Sequence, residues 1–290
     1  MGILFRAERY RYVINSISGE SISRAKFIIL TSVRNALVDF FPARLGEASY
    51  LYMLNRLGVS VLKGVSSFGL CLALDLIVLL ALLSLLFVGT YSLREFDSLI
   101  IIVLLSGVSF VFVYNLEKVI DVVIFILNWI DKNFCFLKRA RDFIQDSILK
   151  IRSDIVQVKV DGLFVKLIFL TAGLRFAKYT SLYILLCAVV YQWGLGVEDL
   201  KPFEAVIAFI SAEASASLPI SGFMGFGAYE GAAAAGISLS CGEACSEVPT
   251  LAVVFSVHLI TQITGYSVGA IGALAFAGLL GASKKNAISN

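Results

Sequence analysis

The chain has 290 residues, 59% of them hydrophobic and only 16% charged, with mean hydropathy +0.89 and net charge +3. Soluble domains sit near about 45–50% apolar and 25% charged, so the composition excludes a soluble globular protein and fits a polytopic helical membrane protein. Alternating ten-residue segments are absent, which excludes an outer-membrane barrel.

Residues 1–24 read as a cytoplasmic or interfacial amphipathic segment, with Tyr10, Tyr12, Val13 and Ile14 interleaving Arg9 and Arg11. They are too charged to open with a secretory signal. Residues 27–41 are apolar but only 15 long, carry Arg34 and Asp39, and stop at Pro42. That length and polarity suit a re-entrant half-helix rather than a span. Ala48 to Leu57 returns as its partner, and Gly58 ends it. A full span is expected over 60–89 with Asp75 its one charge, and a second over 98–114, continuing as an amphipathic helix through Asn128. The charged, periodic stretch 131–161 reads as a cytoplasmic helical connection.

Residues 162–174, followed by Arg175 and Lys178, read as an elbow helix at the inner interface, and 179–195 as the third span, anchored by Tyr191 and Trp193. Residues 203–218 enter next, break from Pro219 through Gly227, and return as Glu230 to Ser240. The fourth span is 250–281, where Gly265, Gly269, Gly272, Ala273 and Ala277 form a small-residue face that lets another helix approach closely.

The two interrupted units share a pattern: half-helix, Pro, Gly, Glu, half-helix, Gly, full span. The interval from Glu47 to Gly58 is 11 residues, and from Glu230 to Gly242 it is 12. Basic residues cluster at Arg6–Lys26, Lys132–Arg152 and Lys284–Lys285, so the positive-inside rule puts these regions and both termini in the cytoplasm. The two hairpins then point in opposite directions, as in the inverted repeats of transporters. The expected architecture is one all-α membrane domain over 1–290, with about four full spans and two re-entrant hairpins. It has a first half at 27–128 and a second at 162–283.

Carboxylates and helix breakers at membrane depth persist where backbone lines a cavity or is buried in protein. Glu47 and Glu230 either couple an ion or cap their own hairpins. Arg44 and Arg34 either bind a phosphate or pair with Glu47, Asp39 or Asp75. Asp75 is expected to pair with an Arg of the first hairpin, and Glu213 to sit in a buried ion pair or carry protons. Arg175 and Lys178 face inner headgroups. Gly222, Gly225 and Gly227 let backbone approach a ligand closely. His258, the one histidine, shares a face with Gln262. Cys241 and Cys245 stand in an outer loop either as a disulfide or as two thiols. A lone histidine and unclustered cysteines lead us to expect no metal and no cofactor, and the absence of a GxxxxGK[ST] loop excludes a P-loop ATPase.

On the stretch from Asn35 through Pro42-Ala43-Arg44-Leu45-Gly46-Glu47, Arg56-Leu57-Gly58 and Asp75, the chain resembles the lysylphosphatidylglycerol synthase transmembrane-region (flippase-like) family. A second stretch adds to this: Leu218-Pro219-Ile220-Ser221-Gly222 through Gly227-Ala228-Tyr229-Glu230, Gly242, and the Gly-rich last helix. The resemblance implies an inner-membrane protein that moves, or helps move, a lipid between leaflets. Relatives usually carry one or two helices before the segment resembling Arg6–Tyr10, and often an Arg near where His258 stands. The resulting expectation is a non-enzymatic translocator of an anionic lipid of phospholipid or polyprenyl-phosphate type, with no nucleic-acid partner and oligomerisation left open. The alternatives are a non-transporting partner of a lipid-modifying enzyme or glycosyltransferase, and a membrane enzyme acting on lipid headgroups.

Overall fold

The computed structural model describes residues 1–19, 21–41, 46–90, 138–193, 200–216, 226–241 and 248–288, with scattered positions between 100 and 124. Among these residues the regular elements are all helices: α1 (Gly2–Ser18), α2 (Arg24–Phe40), α3 (Glu47–Arg56), α4 (Val61–Thr90), α5 (Lys138–Val160), α6 (Leu163–Tyr191), α7 (Pro202–Ala216), α8 (Ala228–Cys241) and α9 (Thr250–Ile288). Three of them contain stretches long and apolar enough to cross a membrane: Val61–Leu86, Leu163–Tyr191 and Thr250–Gly281. The span expected over 98–114 lies largely outside the described residues, so the count of four is not established.

Proline ends α2 where the sequence says it should. The residue before a proline is pushed out of helical conformation, and Phe41, just before Pro42, has extended backbone (φ −88°, ψ 136°). The chain resumes helix at Glu47 and packs α3 back against α2. Gly46 makes that return fit, because a Cβ there would stand 2.2 Å from the Leu37 carbonyl. A second pair forms from α7 and α8, which pack together extensively. Their interruption ends at Gly227, whose φ of +99° is left-handed and costs glycine little.

The small-residue face of α9 has a partner, and it is α2. A Cβ on Gly269 would meet Ala36 at 2.2 Å, and one on Gly272 would meet Ser32 at 3.1 Å. Backbones therefore touch along this seam, as small-residue interfaces allow.

Two readings need correction. The N-terminal helix does not lie on a surface: α1 packs against α2, α4 and α6, and Ala7, Tyr10, Val13 and Ile14 are covered by protein. An interfacial helix would have left that apolar face for lipid. Residues 162–174 are not a separate elbow either, since α6 runs unbroken from Leu163 to Tyr191. Arg175 and Lys178 find protein carboxylates at mid-helix, so the chain has no need to bring them to an interface.

Apolar packing divides into two cores. One gathers α1, α2, α3 and the first half of α4 around Tyr10, Phe27, Tyr50 and Leu74. The other gathers α7, α8, the second half of α6 and the first half of α9 around Leu186, Phe209, Ile237 and Val254. A group of charged residues, among them Arg9, Arg34, Asp75, Arg175 and Glu213, lines a cavity between them.

Candidate functional site

A cavity of about 680 Å³ opens between the two cores, lined by residues from α1, α2, α3, α4, α6, α7, α8 and α9. Each of the three long apolar helices contributes polar groups near its middle: Asp75 on α4, Arg175 and Lys178 on α6, and Gln262 on α9. A charge in such surroundings is costly unless paired or solvated, so its partners decide what the site does.

Arg9 is the most deeply buried of these charges, at 1% exposure. Its guanidinium grips Asp75 bidentately, with Nη1–Oδ1 2.8 Å and Nη2–Oδ2 2.9 Å, and Nη1 also donates to Thr171 Oγ1 at 3.0 Å. Arg34 forms the same fork with Glu47, at 2.8 and 2.6 Å. Both arginines lie near the Tyr10 ring, 5.7 and 5.5 Å from its centroid, which adds cation–π attraction. Glu213 accepts from Arg175 at 2.8 Å and from the Tyr179 hydroxyl at 3.1 Å, and is paired with Lys178. Arg175 also stands 3.8 Å from Asp75. One ionic chain, Arg9–Asp75–Arg175–Glu213–Lys178, thus joins the two cores across the cavity.

Arg6 is different. Its Nη1 donates to the neutral Asn35 side chain at 2.5 Å, and among the described residues it has no carboxylate within ion-pair distance. Asp39, one turn beyond Asn35 on α2, also lines the cavity without an ion-pair partner among the described residues.

The second interruption carries its own polar cluster. Glu230 Oε2 accepts the Gly227 backbone N–H at 2.7 Å, and Oε1 contacts His258 Nδ1. The other ring nitrogen, Nε2, is 2.8 Å from the Gln262 amide nitrogen. Phe226 and Tyr229 flank the imidazole, with centroids at 4.8 and 4.3 Å. Glu230, His258 and Gln262 are all buried, and His258, Gln262 and Tyr229 line the cavity.

Of the residues singled out in the sequence, Arg34, Glu47, Asp75 and Glu213 line one cavity. Glu230 stands just behind its wall, and Gly227 begins the helix that carries it. Arg44, Gly222, Gly225 and Cys245 lie outside the described residues. Asp75 pairs with Arg9 of α1 rather than with an Arg of the first hairpin, because Arg34 is already neutralised by Glu47. Arg175 and Lys178 pair with Glu213 rather than facing headgroups. Cys241 is disulfide-bonded, whereas Cys71 and Cys187 are free thiols. Sequence reasoning missed Arg6, Arg9 and Asn35. The helical spacing of Tyr10, Val13, Ile14 and Ile17 marks a face needing cover, and α2, α4 and α6 supply it.

The family model described as Lysylphosphatidylglycerol synthase TM region matches residues 1–280. The chain belongs to that family. No curated protein and no solved structure matches it. Membership in the lysylphosphatidylglycerol synthase TM-region family, together with the apolar helices, makes this a membrane-spanning protein related to lipid modification or transport. All the charged cavity residues described above fall within the matched range.

Proposed function

We propose that the chain translocates an anionic lipid, of phospholipid or polyprenyl-phosphate type, between leaflets. The headgroup crosses through the cavity while the acyl or prenyl chains stay in the bilayer. On this reading α2–α3 and α7–α8 are oppositely oriented re-entrant hairpins whose interrupted ends meet near the midplane. The family resemblance suggests the inner membrane, and the basic clusters favour cytoplasmic termini.

One observation carries the proposal: a guanidinium at the cavity wall is left without a carboxylate. Arg9, Arg34, Arg175 and Lys178 are each within ion-pair distance of a carboxylate, whereas Arg6 has none among the described residues. A guanidinium held by a neutral amide retains donors for a phosphate oxygen, and Arg suits phosphate geometry. Arg9 and Arg34 are spoken for; they shape the cavity and bias it toward anions. The family's description names a lipid-modifying synthase, which favours a second reading in which the chain partners such an enzyme.

The test is reconstitution into phosphatidylcholine vesicles with a trace of fluorescent phosphatidylglycerol and external dithionite. The protein should expose the inner-leaflet label to reduction. Losing one charge-assisted hydrogen bond is worth about 1.5–3 kcal/mol, so Arg6→Gln should slow exposure tenfold or more. A Glu47→Gln/Glu230→Gln variant that moves lipid at the wild-type rate would refute the carboxylate roles.

A further inference from the structure

We propose that Glu230, His258 and Gln262 form a proton-binding site that latches the second helix pair and couples lipid movement to a proton gradient. The coupling rests on the translocation reading above; the proton site itself does not.

Donor and acceptor chemistry fixes the present arrangement. The Gln262 amide nitrogen can only donate, so His258 Nε2 accepts and carries no proton. The ring proton is then on Nδ1, where it is donated to Glu230 Oε1. That choice leaves Gln262 Oε1 buried with no hydrogen-bond partner among the described residues. If the amide turns, Oε1 faces Nε2 in place of the NH2 group, and it can accept only when Nε2 bears a proton. Which end of the amide faces the ring therefore follows whether Nε2 is protonated.

The balance is simple. A proton from cavity water bonds to the Nε2 lone pair, the amide turns, and the ring becomes an imidazolium held between Gln262 Oε1 and the Glu230 carboxylate. The Glu230–His258 contact changes from a neutral hydrogen bond into an ion pair. Glu230 also binds the Gly227 N–H at the start of α8, so the added charge tightens the joint where the second interruption becomes helix. Release of the proton loosens that joint. The position on α9 and the flanking Phe226 and Tyr229 rings shield the site from bulk water, while the cavity gives it an aqueous face.

Other charges surround the site on every helix packed against α9. Arg34 and Asp39 stand on α2, Arg175 and Lys178 on α6, Tyr229 and Glu230 on α8, and Glu213 reaches the same cavity from α7. Apart from Asp39, Tyr229 and Glu230, each of these is already held in an ion pair. His258 is also the chain's one histidine, so its signals report this site alone.

The experiment is nitrogen NMR on the full chain labelled at histidine, in phosphatidylcholine nanodiscs, across about pH 5 to 8.5, the range in which histidine titrates. Expected at the alkaline end is one protonated nitrogen and one bare nitrogen, giving way in a single step to two protonated nitrogens on acidification. The Gln262→Glu variant replaces the amide with a group that can only accept, and it should keep Nε2 protonated at pH values where the wild-type ring has released it. A ring that never changes protonation across this range overturns the proposal. In the vesicle assay, a pH gradient should change the rate of fluorescent phosphatidylglycerol movement several-fold, and His258→Gln should remove that dependence. A titrating ring with gradient-independent lipid movement overturns the coupling. Vesicles that move no lipid at any pH sink the translocation reading instead, and the titration still decides the proton site.

Discussion

Removing the Asp75 carboxylate leaves the Arg9 guanidinium buried with Thr171 as its one remaining hydrogen-bond partner among the described residues. Breaking a buried pair from one side costs about 3–5 kcal/mol, because the remaining charge is uncompensated. Asp75→Ala should therefore lower the unfolding free energy by that order in an SDS-unfolding titration. The double change Arg9→Leu/Asp75→Leu should cost much less, since it removes the charge together with its partner. These pairs were half legible in the sequence. An Asp alone in an apolar run announces that a cation must come to it, and for Asp75 that inference holds. Which cation comes is a matter of tertiary geometry, and sequence spacing cannot say that α1 delivers Arg9 across 66 positions.

Among elements, the helix seams offer the sharpest contrasts. At Gly269 a Cβ would collide with Ala36, while at Gly265, one turn away on the same helix, nothing lies within 4 Å. Gly269→Ala should destabilise by about 1–3 kcal/mol through overpacking. Gly265→Ala should leave the thermal midpoint in detergent near wild type. The interrupted pairs were readable because proline and glycine act locally, on φ/ψ and on missing Cβ atoms. The continuity of α6 was not, because Arg175 and Lys178 look like a helix end until Glu213 is seen beside them. On α5, outside the apolar spans, burial holds the Asp154 carboxyl above its ordinary range despite the hydrogen bond from Ser66 at 2.6 Å. A carboxyl raised on folding binds its proton more tightly in the folded state. The contact of α4 with α5 should therefore strengthen as pH falls through that raised value. Asp154→Asn should flatten this dependence in a pH series of thermal unfolding scans.

For the whole molecule, two apolar cores hold apart a polar cavity that long helices cross at mid-length. Each core joins distant parts of the chain, and the cavity exists only once both are assembled. Sequence patterns pointed to the two interrupted helix pairs and to Glu47, Asp75 and Glu213, which line the cavity. They could not single out Arg6, because it looks like any other basic residue near a terminus. The account requires this cavity to hold water at membrane depth, and α6 offers an internal comparison. Ser181 lines the cavity, while Phe176 is 74% exposed on the same helix. The direct measurement places a single cysteine at either position in vesicles, with the chain's five native cysteines replaced, and reads labelling by a charged, water-soluble thiol reagent. The account predicts rapid labelling at Ser181→Cys and little at Phe176→Cys. Equal labelling of the two, or an inert Ser181→Cys, would contradict it.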